Sequence, residues 1–276
     1  MSKKRYLQKN AFPLTAFWVS VSGFAFFYLI PFVVSAVYAF TKNPIQKDFV
    51  GLKNFSNLFS NEFFLQGMSN TCFFMLSAIP VGMICSLLLA LALQRITKSN
   101  GMAAAVLTVF FLIPLVVPSA AVVNYWTKWI SEDKTDYALL IMVLIYVWKN
   151  MGYNAILFMT GLQGIPEEYY QCAAVFGANG WQQFWKITRV YLTPAFFLTF
   201  IMSFVNAFRI FREVYLIWHD YPPKEVYLLQ HFVNSTLLSM HYEKLVSAVY
   251  VLTVGIVGVV GVAFLMERKY SGELKV

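Results

Sequence analysis

Long uncharged apolar runs dominate the chain, separated by short polar segments. Phe12–Phe40 and Phe63–Gln94 carry no formal charge, and the second is most apolar over Phe73–Leu93. Ser99–Thr127 is a third such run. The fourth is interrupted: Tyr137–Trp148, then Lys149, then Asn150–Pro166. The fifth, Val190–Phe208, leads into Arg209, Arg212 and Glu213, and the sixth is Leu245–Met266. A helix needs about 20 apolar residues to cross the hydrocarbon core. The pattern therefore predicts an all-α polytopic membrane protein with six transmembrane helices. One membrane domain, 1–276, accounts for the whole chain, and no internal repeat is visible.

Composition sharpens this. Of 276 residues, 59% are apolar and only 12% charged, where soluble domains run near half and a quarter. A disordered chain, a disulfide scaffold and most soluble folds are excluded. The net charge of +8 calls for no nucleic acid, because basic flanks lying against an anionic bilayer account for it. With an even number of spans both termini share a side. The cluster Lys3, Lys4, Arg5 and Lys9, with Arg95, Lys98, Lys186 and Arg189 on the same side, predicts that this side is cytoplasmic. The first apolar run is too long for a signal-peptide core and is read as a retained helix.

Cys72, Cys85 and Cys172 form no disulfide or zinc pattern. His219, His231 and His241 lack the spacing of a helical metal pair and are expected at the surface or interface. No metal site and no catalytic group is predicted, since no H-E-x-x-H or G-x-S-x-G motif occurs. Gly255, Gly258 and Gly261 predict a close-packing face on the sixth span.

Two polar patches interrupt the apolar spans. Thr199, Ser203, Asn206, Arg209 and Glu213 fall within an arc of about 120° on the fifth helix. Arg209 and Glu213, four residues apart, are expected to pair, and Arg212 to point elsewhere and reach outward. Lys149, Asn150, Tyr153 and Asn154 form a second patch beside Gly152. Charges at membrane depth face protein or a water-filled cavity. The candidate substrate pathway is therefore Lys149, Gly152, Asn154, Ser203, Asn206 and Arg209. Interhelical hydrogen bonding is the alternative role for the same groups.

The segment between the fourth and fifth runs, 164–193, is the most informative. Pro166 suits a helix start, and Glu167 and Glu168 complement its dipole. Tyr169, Cys172, Ala173 and Phe176 share one face, and Gly177 is a natural stop. Asn179 with Gln182 predicts a cap on a second short helix. The result is a helix-turn-helix on the inner side.

This segment resembles the conserved cytoplasmic loop of ABC-importer permeases. Ile165, Pro166, Glu168, Tyr170, Ala173, Gly177 and Ala178 match its pattern, as do Phe184, Ile187, Thr188, Leu192 and Pro194. Phe49–Phe55 and the Phe208–Tyr215 region are similar to the carbohydrate-uptake branch of that family. Gln171 stands where the family has an acid, Cys172 where it has an alanine, and Phe176 where it has an aspartate. The resemblance implies a permease subunit of a binding-protein-dependent importer in the bacterial cytoplasmic membrane, most readily for a sugar or oligosaccharide. It implies alternating access driven by two cytoplasmic ATPase subunits, a second permease subunit in a heterodimer, and an extracellular solute-binding protein. The contacts to the ATPases would come from Glu167, Glu168, Tyr170, Gln171, Cys172, Ala173, Phe176 and Gly177. The chain has no G-x-x-x-x-G-K-[ST] loop, so ATP and magnesium would be used by the partner ATPases, and this chain would be a transporter subunit rather than an enzyme. Glycerol phosphate import remains an alternative within the same type, and a channel or an intramembrane enzyme remains one outside it.

Overall fold

The computed structural model describes residues 15, 17–42, 48–127, 137–220 and 222–272, the side chains of 271 and 272 excepted. The terminal basic residues Lys3, Lys4, Arg5 and Lys9, on which the sidedness expectation leaned, lie outside the described residues. Nearly all of the rest is helical: α1 (Phe17–Ala39), α2 (Lys53–Phe59), α3 (Glu62–Ser99), α4 (Gly101–Val116), α5 (Ser119–Trp126) and α6 (Ala138–Gln163). They are followed by α7 (Glu167–Val175), α8 (Gly180–Gln183), α9 (Thr193–Ala207), α10 (Phe211–Trp218), α11 (Leu229–Leu238) and α12 (Tyr242–Gly272). Five helical stretches are long and apolar enough to cross a membrane, or six if α4 and α5 count as one bent span.

The breaks fall elsewhere than the charge pattern suggests. The run interrupted by Lys149 is one unbroken helix, α6, because the lysine finds a buried partner and need not leave the helix. The third run is the broken one: α4 and α5 meet at 92°. Val117 precedes Pro118 and is extended, with φ −62° and ψ 127°, the conformation that a following proline favours. The third helix begins at Glu62, ten residues ahead of Cys72 and well before the most apolar stretch Phe73–Leu93.

The described residues group into two units. One takes those within Met1–Asn61 and Ser235–Thr253, the other those within Glu62–Asn234 and Val254–Val276. In the first, the Phe32 and Tyr250 rings stack 4.6 Å apart and Tyr250 Oη donates to the Phe32 carbonyl at 2.5 Å. Asn54 is buried and donates to the carbonyls of Ala39 and Thr41 at 3.0 and 2.8 Å. Its amide satisfies carbonyls left over where α1 ends.

The second unit is built around α3 and α6, whose facing residues Phe74, Ala78, Met142, Tyr146 and Phe158 form the centre of its core. Small residues set the spacing. A Cβ on Gly152 would lie 2.0 Å from the Phe111 carbonyl oxygen, so α4 crosses α6 backbone to backbone. The segment ahead of α11 is tied to α3 by side chains: Asn70 Nδ2 donates to the carbonyls of Lys224 and Tyr227, and Thr71 Oγ1 accepts from the Leu229 amide at 2.9 Å. By contrast, a Cβ on Gly255, Gly258 or Gly261 would meet nothing within 4 Å. The face expected to pack closely is left open by the rest of the described chain.

His231 corrects a second expectation. It is buried rather than superficial, with Nδ1 accepting from the Leu228 amide at 3.0 Å and its ring against Phe211 and Tyr227. Burial pushes its pKa down to about 4, because the charged imidazolium loses its water there.

Two outcomes follow. Gly152→Leu should lower stability by at least about 1–3 kcal/mol through overpacking against backbone, whereas Gly255→Leu should be near neutral; thermal unfolding in detergent compares them. For His231, the unfolded chain binds the proton near pH 6.5 and the folded one only near 4. The unfolded state thus holds more protons between those values, and stability falls as pH drops through that window, by at most roughly 3 kcal/mol. His231→Leu should flatten this part of the stability profile.

Candidate functional site

The bend at Pro118 opens a cavity of about 250 Å³ inside the second unit. Its apolar wall is the turn Leu115–Pro118. Its polar wall comes from Tyr146, Lys149 and Asn150 of α6, and from Asn206, Arg209, Arg212 and Glu213 around the junction of α9 and α10. That junction is a single 3₁₀ turn, Phe208–Ile210, and the Phe208 carbonyl accepts from Gln230 Nε2 at 2.8 Å.

Glu213 is the most buried charge here, its side chain 4% exposed. Its Oε1 accepts from Lys149 Nζ at 2.5 Å and from Ser119 Oγ at 2.8 Å. The expected partner was Arg209, four residues away on the same span. Arg209 stands within the 3₁₀ turn and is exposed at the cavity, while Glu213 lies beyond it and faces inward. The carboxylate therefore joins α6, the first turn of α5 and α10. A charge pair so deep is stable only with its remaining lone pairs used, and the Ser119 hydroxyl uses one.

The predicted pathway residues separate into three groups. Lys149, Asn206 and Arg209 line the cavity. Asn154 and Ser203 instead bond to each other between α6 and α9, Nδ2 donating to Oγ at 2.8 Å, while Tyr146 Oη donates to the Ser203 carbonyl. Gly152 sits at the α4 crossing. Arg212, expected to point away, lines the same cavity as Arg209; their i, i+3 spacing is the signal that was available. Ser119 lies outside the predicted pathway, and nothing local in the sequence marks it.

A second candidate region lies at the loop 164–193. α7 is amphipathic in sequence but buries none of its residues. Phe176 is 90% exposed and Val175 85%. Gln171 and Cys172 are exposed, Ala173 is half-buried, and Glu168 is exposed without an ion pair among the described residues. Gly177 has φ +76° and closes the helix, its amide bonding the Ala174 carbonyl while Ala178 reaches Ala173. This is the glycine-terminated ending in which two leftover carbonyls are satisfied. Asn179 and Gln182 form a reciprocal cap at 2.9 and 3.0 Å. Among the contacts that hold the region are Tyr170 Oη with Thr188 Oγ1 at 2.9 Å, Lys98 Nζ with Glu167 Oε1 at 2.7 Å, and the rings of Tyr169 and Tyr191, 5.3 Å apart. The hydrogen bond and charge of Lys98 hold the Glu167 carboxyl below its usual range.

Residues 51–271 match the family described as "Binding-protein-dependent transport system inner membrane component". The chain belongs to this family. It is thus a multi-pass membrane component of a binding-protein-dependent transport system. It is 29% identical over 241 residues to the probable ABC transporter permease protein YesP of Bacillus subtilis strain 168, covering 79% of this chain and 77% of that one. To the arabinooligosaccharides transport system permease protein AraP of the same organism it is 27% identical over 296 residues, covering 98% and 91%. The sn-glycerol-3-phosphate transport system permease protein UgpA of Yersinia pestis is 28% identical over 181 residues, covering 59% and 61%. Among solved structures, a bacterial ABC transporter for import of the acidic polysaccharide alginate superposes with a TM-score of 0.78 at 18% identity, covering 96% and 98%. That likeness shows the fold of this permease.

Removing one partner of the buried pair leaves the other charge uncompensated, at a cost of about 3–5 kcal/mol. Glu213→Gln should therefore reduce the folded fraction of the permease sharply. The double variant Lys149→Met, Glu213→Leu should recover much of it. Monodisperse yield and thermal midpoint in detergent report both.

Proposed function

We propose that this permease conducts a sugar or oligosaccharide inward, forming half of a pathway with a second permease subunit. Two ATPase subunits would dock on its cytoplasmic side and a binding protein would deliver solute outside. The observation that carries the solute class is the cavity between the α4–α5 bend, α6 and the α9–α10 junction. It offers the amide of Asn206 beside apolar wall, with Asn150 next to it partly engaged through Nδ2 on the Tyr146 carbonyl, and amides supply both donors and acceptors to a hydroxyl-rich solute. The relatives AraP, of an arabinooligosaccharides transport system, and UgpA, of an sn-glycerol-3-phosphate transport system, agree with a small polyol derivative or saccharide. In this reading both termini are cytoplasmic, and the chain binds no nucleotide itself; ATP and magnesium act on the ATPases.

The ATPase contacts would come from Glu168, Tyr170, Gln171, Cys172, Ala173, Phe176 and Gly177. Glu167 differs from the others because Lys98 already occupies it. Its role would be to hold α7 against the end of α3, leaving Glu168 as the free acid. Phe176 is the natural anchor, since an aromatic ring 90% exposed in this chain gains most from a pocket in a partner.

Phe176→Ala should leave the permease inserted and as stable as before. It should weaken ATPase retention about tenfold or more when the tagged chain is pulled from membranes in mild detergent. Undiminished ATPase recovery would exclude Phe176 as the anchor. Recovery of the wild-type chain without any ATPase would exclude the importer assembly.

A further inference from the structure

Two guanidinium groups in the cavity wall have no counter-ion among the described residues. Arg209 and Arg212 both line it, and neither makes a hydrogen bond or an ion pair among the described residues. Lys149 does not share their condition, because its ammonium is held on Glu213. Three cations and one carboxylate therefore surround about 250 Å³, and two positive charges are left over. Both belong to the apolar span Thr193–Trp218. A charge within a span is costly, roughly 2.5–3.5 kcal/mol on insertion scales, and faces water, a binding site or a partner. The opposite wall, Leu115–Pro118, lacks charge, so it does not answer the two arginines, which are both exposed. Asn206 also lines the cavity, and its amide bonds no side chain or backbone among the described residues.

Guanidinium is planar, permanently charged and shaped to grip two oxygens of one carboxylate or phosphate. We propose that this cavity is a subsite for an anionic carbohydrate, with a carboxylate or phosphate held by Arg209 and Arg212 and a neighbouring hydroxyl on Asn206. The proposal rests on the importer reading above and narrows its solute to sugars bearing an oxyanion. The arginines line a cavity formed within this chain rather than a flat outer face, which favours a small solute over a carboxylate on a neighbouring subunit.

The test is uptake by cells carrying the complete transport system, with and without this chain, of labelled probes in matched pairs. The pairs are lactobionate against lactose, digalacturonate against its methyl ester, glucose 6-phosphate against glucose, and glycerol 3-phosphate against glycerol. Uptake that depends on this chain is expected for a charged member and not for its neutral twin. Arg209→Gln and Arg212→Gln should each lower it about tenfold, with membrane abundance and the co-purified ATPase unchanged. Arg209→Lys, which keeps the charge and loses the two-pronged grip, should retain part of it. Chain-dependent uptake of a neutral twin that survives both glutamine variants would overturn the subsite and leave sugar import standing. Uptake of a charged probe that ignores both variants would do the same. Loss of the second permease from pull-downs of the glutamine variants would assign the arginines to a subunit contact and overturn the proposal. No chain-dependent uptake of any probe, charged or neutral, would sink both the subsite and the sugar reading.

Discussion

The second unit depends on one charge pair, Lys149 with Glu213. An apolar span carrying a lysine near its middle is unstable in a bilayer unless that charge is answered. Here the answer comes from another span, 64 positions along the chain. The same carboxylate takes the hydroxyl of Ser119, the first residue after the bend at Pro118. One acid thereby stabilises a continuous α6, ties down the start of α5 and orients α10. With Glu213 so engaged, the arginines beside it have no ion-pair partner among the described residues, and the character of the cavity follows from that single choice of pair.

Much of the fold was legible in the apolar runs. Length and lack of charge located the spans, and the helix-turn-helix at 164–193 was readable down to its caps, because Gly177, Asn179 and Gln182 act within a few residues of one another. What escaped was long-range. The rule for neighbours on a helix offered Arg209 as the partner of Glu213, and only the tertiary arrangement brings in Lys149. His231 looked like a surface residue because a histidine in a polar segment gives no sign of the aromatic rings that close over it. Pro80 and Pro114 lie inside helices whereas Pro118 ends one. The residue type is the same in all three, and the difference lies in what waits beyond the turn, which for Pro118 is a hydroxyl bonded to a buried acid.

The candidate site was legible in kind more than in membership. Polar residues within the spans marked where a polar cavity would form, and Lys149, Asn206 and Arg209 do share one. Asn154 and Ser203 carry the same chemistry but satisfy each other. A sequence cannot distinguish an amide that lines a void from one that fastens two helices, since both answer the same need for a hydrogen bond away from water.

The short 3₁₀ turn between α9 and α10 has a mechanical meaning. Below it lie the buried Thr199 and Ser203, and beyond it Glu213 is anchored; Arg209 stands within it and Arg212 just after. Its Phe208 carbonyl bonds a side-chain amide from another segment, Gln230, across 22 positions of sequence. Mid-span 3₁₀ turns often mark hinges; if this one is a hinge, the lower half of the span would stay fixed while the upper half rotated about the tethered turn as a pivot. The cationic side chains sit on the pivot, where a small rotation changes their direction more than their position. Grip and release of a negatively charged cargo could then be governed by twist alone, with no need to widen a channel.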